Sequence, residues 1–334
     1  MELRQLEHFV AVAEERSFTR AAHRANIVQS GLSMSIRALE EEVGTKLFDR
    51  GARGIVLTPA GEAMLPDARR AIAAVDSARV SVGASQGLLR GTLRVGIAQA
   101  SDPHRVASLL GRFHDDYPGV VLRVIQGNGT TLLSAVSDGT LDIAVCGRPI
   151  VLPDDVTTLA LARGRFVMAC ATSHPLASRS TVKLSELVSE RFIEMNRGWV
   201  SRQHIDYSFG LAGIRRNIVC ELDDVVLLLQ MVEEGLGIAI VAGTAGKPMG
   251  IRYVPIDPGM GEWQFIAGFL GETPPTAPAR VFLGMVMREW LSAGLVTTDE
   301  RAAIAIDHAT PSLEAPVKRP EDPREGAARR RAAL

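Results

Sequence analysis

The sequence predicts an α + α/β chain: a small head with a winged helix-turn-helix, one long connecting helix, and a body of two α/β lobes. Three observations predict this. Apolar residues at helical period and two closely spaced helix starts fill residues 1–58. A helical pattern then runs from Pro59 to about Gly87 without a firm break. From Gly91 onward, apolar strand runs alternate with helical segments, the pattern of βαβ units.

In the head, Leu6, Phe9, Val10 and Ala13 recur at i, i+3, i+4 and i+7, which predicts a helix ending near Arg16. Ser17 is a good N-cap for a second helix over 18–25, and Asn26 suits a left-handed exit from it. A third helix is expected over 29–43, buried along Leu32, Ile36, Leu39 and Val43 and stopped by Gly44. Its other face carries Gln29, Ser30, Ser33, Met34 and Arg37. Two short helices joined by about three residues make a helix-turn-helix. Residues 47–57, with glycines at the tip, read as a hairpin that carries Arg50 and Arg53.

Thr58 suits the N-cap of the connecting helix and Pro59 its first position. Met64, Ala68, Ile72, Val75 and Val82 give a mostly heptad-spaced apolar stripe. A helix over 59–86 spans roughly 40 Å. It is too long to lie on a small domain, and its stripe is too thin for a core. The expected use is a seam between two chains, with Met64, Ile72 and Val75 in it.

The body reads as strands at 92–97, 120–126, 141–146, 166–171, 192–195, 216–221, 237–242, 251–256 and 262–269. Helices fall at 103–116, 130–137, 199–209, 223–234 and 278–291, the fourth with a buried run from Val225 to Leu229. The alternation predicts right-handed crossovers on a parallel sheet. After about Ala293 large apolar residues thin out, and Pro311, Pro316, Pro320 and Pro323 with Arg329-Arg330-Arg331 predict a disordered tail. The expected division is a head (1–58), a linker helix (59–87), a body (91–295) and a tail (296–334). Within the body, lobe I takes 91–162 and 267–295, and lobe II takes 163–266.

With 37 basic and 38 acidic residues the formal net charge is −1, which excludes a globally basic nucleic-acid binder but not a local basic face. From Arg16 to Arg37 there are four arginines and no acid, while Glu40, Glu41 and Glu42 cluster later. This unevenness favours contact with DNA phosphate over a small helical bundle with solvated charges. Cys146, Cys170 and Cys220 are far apart with apolar neighbours, so neither a disulfide framework nor a zinc site is expected. No cofactor is expected, and no metal-spaced His/Cys cluster, phosphate loop or Gly-x-Ser-x-Gly elbow points to an enzyme. No apolar run reaches the roughly 18 residues of a membrane span. Met1-Glu2-Leu3-Arg4 opens no signal-peptide core, so a reducing, cytoplasmic setting is expected.

The run Ser17-Phe18-Thr19-Arg20-Ala21-Ala22, then Leu32-Ser33, then Ile36-Arg37-Ala38-Leu39-Glu40-Glu41-Glu42-Val43-Gly44, resembles the DNA-binding end of LysR-type transcriptional regulators. So do Leu47-Phe48-Asp49-Arg50, Arg53, Leu57-Thr58 and Ala60-Gly61. Weaker echoes in the body are Tyr117-Pro118, Gly139-Thr140-Leu141-Asp142, His174-Pro175-Leu176 and Gly235-Leu236-Gly237-Ile238. Where that family often has Ser-Gln-Pro-Ala, this chain has Val28-Gln29-Ser30-Gly31, so the recognition helix lacks a capping side chain and a first-turn proline. The resemblance implies a body like that of periplasmic binding proteins. It also implies a partly palindromic site in double-stranded promoter DNA, a small-molecule effector, a homodimer through the linker helix and a homotetramer through the effector domains.

The chemistry of the two candidate sites follows. Gln29 has the amide for a bidentate contact to adenine, Ser33 a hydroxyl for a base edge or phosphate, and Met34 a methyl for thymine. Ser30 flanks them; Arg37 suits phosphate or guanine, and Arg50 and Arg53 suit the backbone or minor groove. For the effector, Ala100, Ser101, Thr130 and Asn196 follow strands and lie where helices start, where free amides and hydroxyls suit an anionic or hydroxylated ligand; the resemblance implies a small carboxylate, which Arg148 after the third strand could pair with. Asp102-Pro103 is also a good cap pair, and Ser101 and Thr130 suit plain helix capping as well. The rival readings are a solute-binding protein, which would not need residues 1–87, and a thiol sensor on the same scaffold.

Overall fold

The computed structural model describes residues 1–51, 54–84, 89–98, 103–243 and 249–292. Helix α1 (Leu3–Glu15) ends where Arg16 turns left-handed at φ 48°. Helix α2 (Phe18–Arg24) starts on Ser17, whose Oγ accepts the Arg20 N–H at 3.4 Å, and Asn26 leaves it at φ 53°. Helix α3 (Gln29–Val43) stops at Gly44, φ 75°. Its N-cap is Val28, which offers no side-chain hydrogen bond. Leu32, Ile36 and Leu39 are buried against Phe9 and Phe18 as the spacing predicts. Val43 is not: it is 39% exposed, and Glu40 occupies the inward position in that last turn.

Strands β1 (Phe48–Gly51) and β2 (Gly54–Leu57) form the antiparallel hairpin. Helix α4 (Pro59–Ala84) starts on Thr58, whose Oγ1 accepts the Gly61 N–H at 3.1 Å and donates to the Lys46 carbonyl at 2.7 Å. Gly61 is required because a Cβ there would lie 2.2 Å from the Leu47 carbonyl oxygen. The first turns of α4 lie on the head. Ala68 is buried in the head core, and Met64, Leu65, Ala71 and Ile72 pack against it. The expectation that the stripe has nowhere in its own chain to go is therefore corrected: α1 covers its first half, because the head is wide enough for three helical turns. Val75, half-buried, lies outside that cluster.

The body begins with β3 (Gly91–Ala98), α5 (Pro103–Asp116), β4 (Val120–Gly127), α6 (Gly129–Ser137) and β5 (Ile143–Gly147). β3 pairs in parallel with β4 and β5. Then β6 (Val156–Ala171) runs for 16 residues through both lobes. Lobe II continues with β7 (Arg191–Met195), α7 (Val200–Leu211), β8 (Asn217–Leu222), α8 (Val225–Glu233), β9 (Ala239–Ala242) and β10 (Ile251–Pro255). β11 (Glu262–Leu270) and α9 (Ala277–Ser292) return to lobe I.

The sheet is mixed rather than parallel. β11 pairs antiparallel with β5 and with the first half of β6, and β9 and β10 pair antiparallel with its second half. The sequence reveals only the second half of β6. Gly164 between Arg163 and Arg165 interrupts its apolar run, and in the structure Gly164 lies under Trp263, whose ring a Cβ would meet at 2.8 Å. β11 pairs with β6 from Glu262 to Leu270 and so runs across position 267, with Trp263 packed against the cores of both lobes.

Lobe I has α5 and α9 on one face of its sheet and α6 on the other, around Phe113, Phe282 and Met287 and around Leu133 and Val136. Lobe II has α7 on one face, around Phe192 and Phe209, and α8 on the other, around Leu228 and Leu229. The apolar run Val225–Leu229 is only partly buried. Val226 and Leu227 are exposed, because a helix turns about 100° per residue and cannot bury five in a row on one face.

Candidate DNA-binding face and effector cleft

α3 turns Val28, Gln29, Ser30, Met34 and Arg37 outward, with Met34 70% exposed and Ser33 half-buried. Gln29 Nε2 donates to Ser33 Oγ at 3.0 Å, which ties the exposed amide to the next turn of the helix. His8 Nδ1 and Ser35 Oγ, 2.8 Å apart, tie α1 to the back of α3. The basic face is smaller than the sequence suggests. Arg24 pairs with Glu14 at 2.7 Å and Arg20 with Glu15 at 3.4 Å, both across the α1–α2 turn. Arg37, two turns further along the helix than Gln29, is exposed and carries no ion pair among the described residues. Arg50 sits in β1 opposite Ile55. Arg53 lies outside the described residues.

Glu40 holds the hairpin to α3. Its carboxylate accepts the N–H groups of Leu47 at 2.9 Å and Phe48 at 3.4 Å, and Lys46 Nζ at 2.7 Å. In the sequence Glu40 is one of three consecutive acids. A capping role for it was findable only from the hairpin that follows.

The lobes meet where α6 and α7 begin. Asn128 caps α6, its Oδ1 accepting the Thr131 N–H at 2.9 Å. Thr130 Oγ1 accepts from Gln203 Nε2 of α7 at 3.2 Å. Val200 lies against Gly129 and Gly147, where Cβ atoms would stand 2.8 and 3.4 Å from its methyl groups. Gly198 faces Asn128, with 3.3 Å from a Cβ to Nδ2. Asn196 bonds Leu222 through its N–H at 2.9 Å and accepts the Trp199 N–H at 3.0 Å. The Trp199 indole donates to Asp223 at 2.7 Å.

Arg148 is exposed at the rim. Its carbonyl lies 3.2 Å from His204 Nε2, and its side chain makes no ion pair among the described residues. Thr130, Arg148 and Asn196 thus gather at one place; Ala100 and Ser101, with Asp102, lie outside the described residues. Sequence reasoning missed Gln203 and His204. Both sit one turn into a helix whose start was already placed at the cleft, and that offset was the available signal. Two helix N-termini, the Thr130 hydroxyl and the Arg148 guanidinium, which makes no ion pair among the described residues, lie on this side of the lobes.

The three thiols are free, with Cys146 and Cys170 buried and Cys220 half-buried. Burial pushes Cys146 up to about 12 and Cys170 up to about 11, so neither is an appreciable thiolate at neutral pH. Among the described residues no group of three His, Cys, Asp or Glu side chains gathers as for a metal, and no helix is long and apolar enough to cross a membrane.

Residues 3–62 match the family model of the bacterial regulatory helix-turn-helix protein, lysR family, and residues 86–291 match the LysR substrate binding domain. This chain belongs to the LysR family of transcriptional regulators. The regulator is 34% identical over 261 residues to the HTH-type transcriptional regulator ShiR of Corynebacterium glutamicum, covering 77% of this chain and 88% of that one. It is 41% identical over 189 residues to BudR of Raoultella terrigena, covering 56% and 65%. Among solved structures it superposes on a full-length OxyR variant from Pseudomonas aeruginosa with a TM-score of 0.67. That match has 22% identity and covers 86% and 97% of the two chains, a likeness of fold. It superposes on CbnR, a LysR family transcriptional regulator, with a TM-score of 0.54 and 25% identity over 86% and 99%. The regulator is a DNA-binding protein with a helix-turn-helix head and an effector-binding body, as in the transcriptional regulators it resembles.

Proposed function

We propose that the regulator reads a partly palindromic promoter site with α3, Gln29 and Met34 contacting base edges and Arg37, Arg50 and Arg53 holding backbone. The observation that carries this is the exposed face of α3, where Gln29 is tied to Ser33 and Arg37, two turns on, carries no ion pair among the described residues. Ser30 and Ser33 complete that face. The working units are a head (1–58), a linker helix (59–87) and a body (91–295). The body binds a small polar ligand, anionic where it meets Arg148, between Thr130 and Asn196.

Two chains pair through the second half of α4, centred on Val75, with Met64 and Ile72 shared between that seam and the head. Two such dimers join through the bodies. Val121, Val124 and Ile125 are exposed on the edge strand β4, and Val219, Val226 and Leu227 on lobe II. Exposed apolar groups gathered in this way mark contact surfaces.

The test is fluorescence anisotropy with the native promoter and a scrambled duplex at several salt concentrations. Gln29→Ala is expected to cost about 1–3 kcal/mol on the promoter and to relax the preference at one base pair per half-site. Arg37→Ala is expected to weaken both duplexes alike and to lower the salt slope by about one per lost phosphate contact. A wild-type protein with no preference for its own promoter would overturn the reading.

A further inference from the structure

Helix α6 has one end in the effector cleft and the other on the linker helix. At its start Thr130 meets Gln203 of α7 and Asn128 meets Gly198. At its end Asp138 turns the chain, its Oδ1 accepting the Thr140 N–H at 2.8 Å. That turn is pressed on α4: a Cβ on Gly139, which has φ 71°, would lie 3.1 Å from Arg69 Cβ.

Arg69 joins three bodies. Its Nη1 donates to the Asp138 carbonyl at 3.4 Å and lies 3.6 Å from the Asp138 carboxylate. Its Nη2 donates to Glu14 of α1 at 3.2 Å. The side chain is 13% exposed, and Nε is buried with no partner among the described residues. Arg70 adds a looser tie, 3.9 Å from Asp155, which Ser137 Oγ holds at 2.7 Å. Beside this seam a cavity of about 1210 Å³ separates the head from lobe I, with His8, Ala11 and Arg24 on one wall and Thr92, Arg94 and Arg123 on the other.

These bonds are long for a charged pair, and one guanidinium nitrogen is unsatisfied. Such a contact holds the head without locking it. α6 buries Leu132, Leu133 and Val136 in lobe I, so it moves as a packed unit rather than bending. A shift at Thr130 reaches Asp138 one helix length away, roughly 13 Å.

We propose that Arg69 is a latch. It clasps Glu14 of the head and Asp138 of lobe I through the linker helix, and displacement of α6 from the cleft end releases it. The head then changes its set relative to the body. This inference rests on the reading of the cleft as the effector site.

The test is amide hydrogen exchange on the full-length protein, comparing wild type with Asp138→Asn, Gln203→Ala and the double variant. Asp138→Asn is expected to speed exchange several-fold in peptides covering 64–75 and 10–16 while β3 and β5 stay protected. Arg69→Gln is expected to do the same, which separates the latch from any local effect on the Thr140 turn. Gln203→Ala, made at the cleft, is expected to speed exchange in the same linker peptides. The double variant is expected to be no faster than Asp138→Asn alone, since both open one contact. Unchanged linker exchange in Asp138→Asn, unchanged linker exchange in Gln203→Ala, or additive effects in the double variant would each overturn the proposal. No ligand enters these measurements, so their failure leaves the effector site itself standing; that site is tested by thermal-shift screening of small anions against wild type and Arg148→Ala.

Discussion

Glu40 Oε1 accepts the Leu47 backbone N–H at 2.9 Å, across the turn that joins the recognition helix to the hairpin. Burial pushes this carboxyl up, but the Lys46 ammonium and the Leu47 and Phe48 amides outweigh it and hold it below its ordinary 4.5. A depressed folded value gives stabilisation that is present above pH 4.5 and lost as pH falls through the folded value. Glu40→Gln is expected to cost about 1–3 kcal/mol at neutral pH. The difference from wild type should shrink in urea titrations run below pH 4.5. A difference that stays constant with pH would count against the carboxylate as the fastener.

The linker seam is best probed at Val75. Ile72 also packs on the head core, so a charge there perturbs two things at once. Val75→Asp is expected to shift sedimentation toward smaller species and to weaken promoter binding while the unfolding of the head is unchanged. An unaltered oligomer would remove Val75 from the seam.

The thiols give a third prediction. With Cys146 and Cys170 buried and their thiols pushed up, iodoacetamide under native conditions is expected to label half-buried Cys220 first and the other two only after unfolding. Promoter affinity is expected to be unchanged by dilute hydrogen peroxide. Peroxide-dependent loss of binding that Cys146→Ser or Cys170→Ser abolishes would favour the thiol-sensor reading.

Asp142 Oδ2 accepts the Arg94 N–H at 2.8 Å, and burial pushes its carboxyl up to about 6 from 3.8. A raised folded value gives stabilisation that is full below pH 3.8 and lost as pH rises through about 6. Asp142→Asn keeps an acceptor for Arg94 and removes the titration. Its melting temperature relative to wild type is expected to rise from pH 4 to pH 7, by the equivalent of roughly 2–3 kcal/mol. A flat difference would show that Asp142 keeps its ordinary affinity for the proton.

The head was legible because its signals are local. Ser17, Asn26 and Gly44 each act within a few residues, and each terminates or starts the helix that its chemistry suggests. Most body elements were legible from strand and helix period alone. What was hidden depends on partners far along the chain. Glu40 is buried because the hairpin folds back on it, and Arg24 spends its charge on Glu14. Arg69 looks like any exposed cation on a helix, yet its partners lie 55 and 69 positions away. Near the lobe junction, Thr130 and Asn196 could be placed from the strand-then-helix order, and Arg148 from the end of the strand before it. Gln203 could not, because which helix faces Thr130 is set by how the lobes meet.

β6 is one unbroken strand shared by two lobes, hydrogen-bonded to β11 from Val156 to Arg165 and to β10 from Val167 to Ala171. The lobes therefore cannot slip past one another without tearing a ladder, whose one irregularity is the register shift opposite Phe265 and Ile266. Such a strand behaves as a leaf spring. The proposed ligand is therefore expected to set the degree of closure by its bulk. Graded transcriptional output across ligands of increasing size, rather than an on–off switch, is the expected signature. A uniform response to every ligand that binds would contradict it.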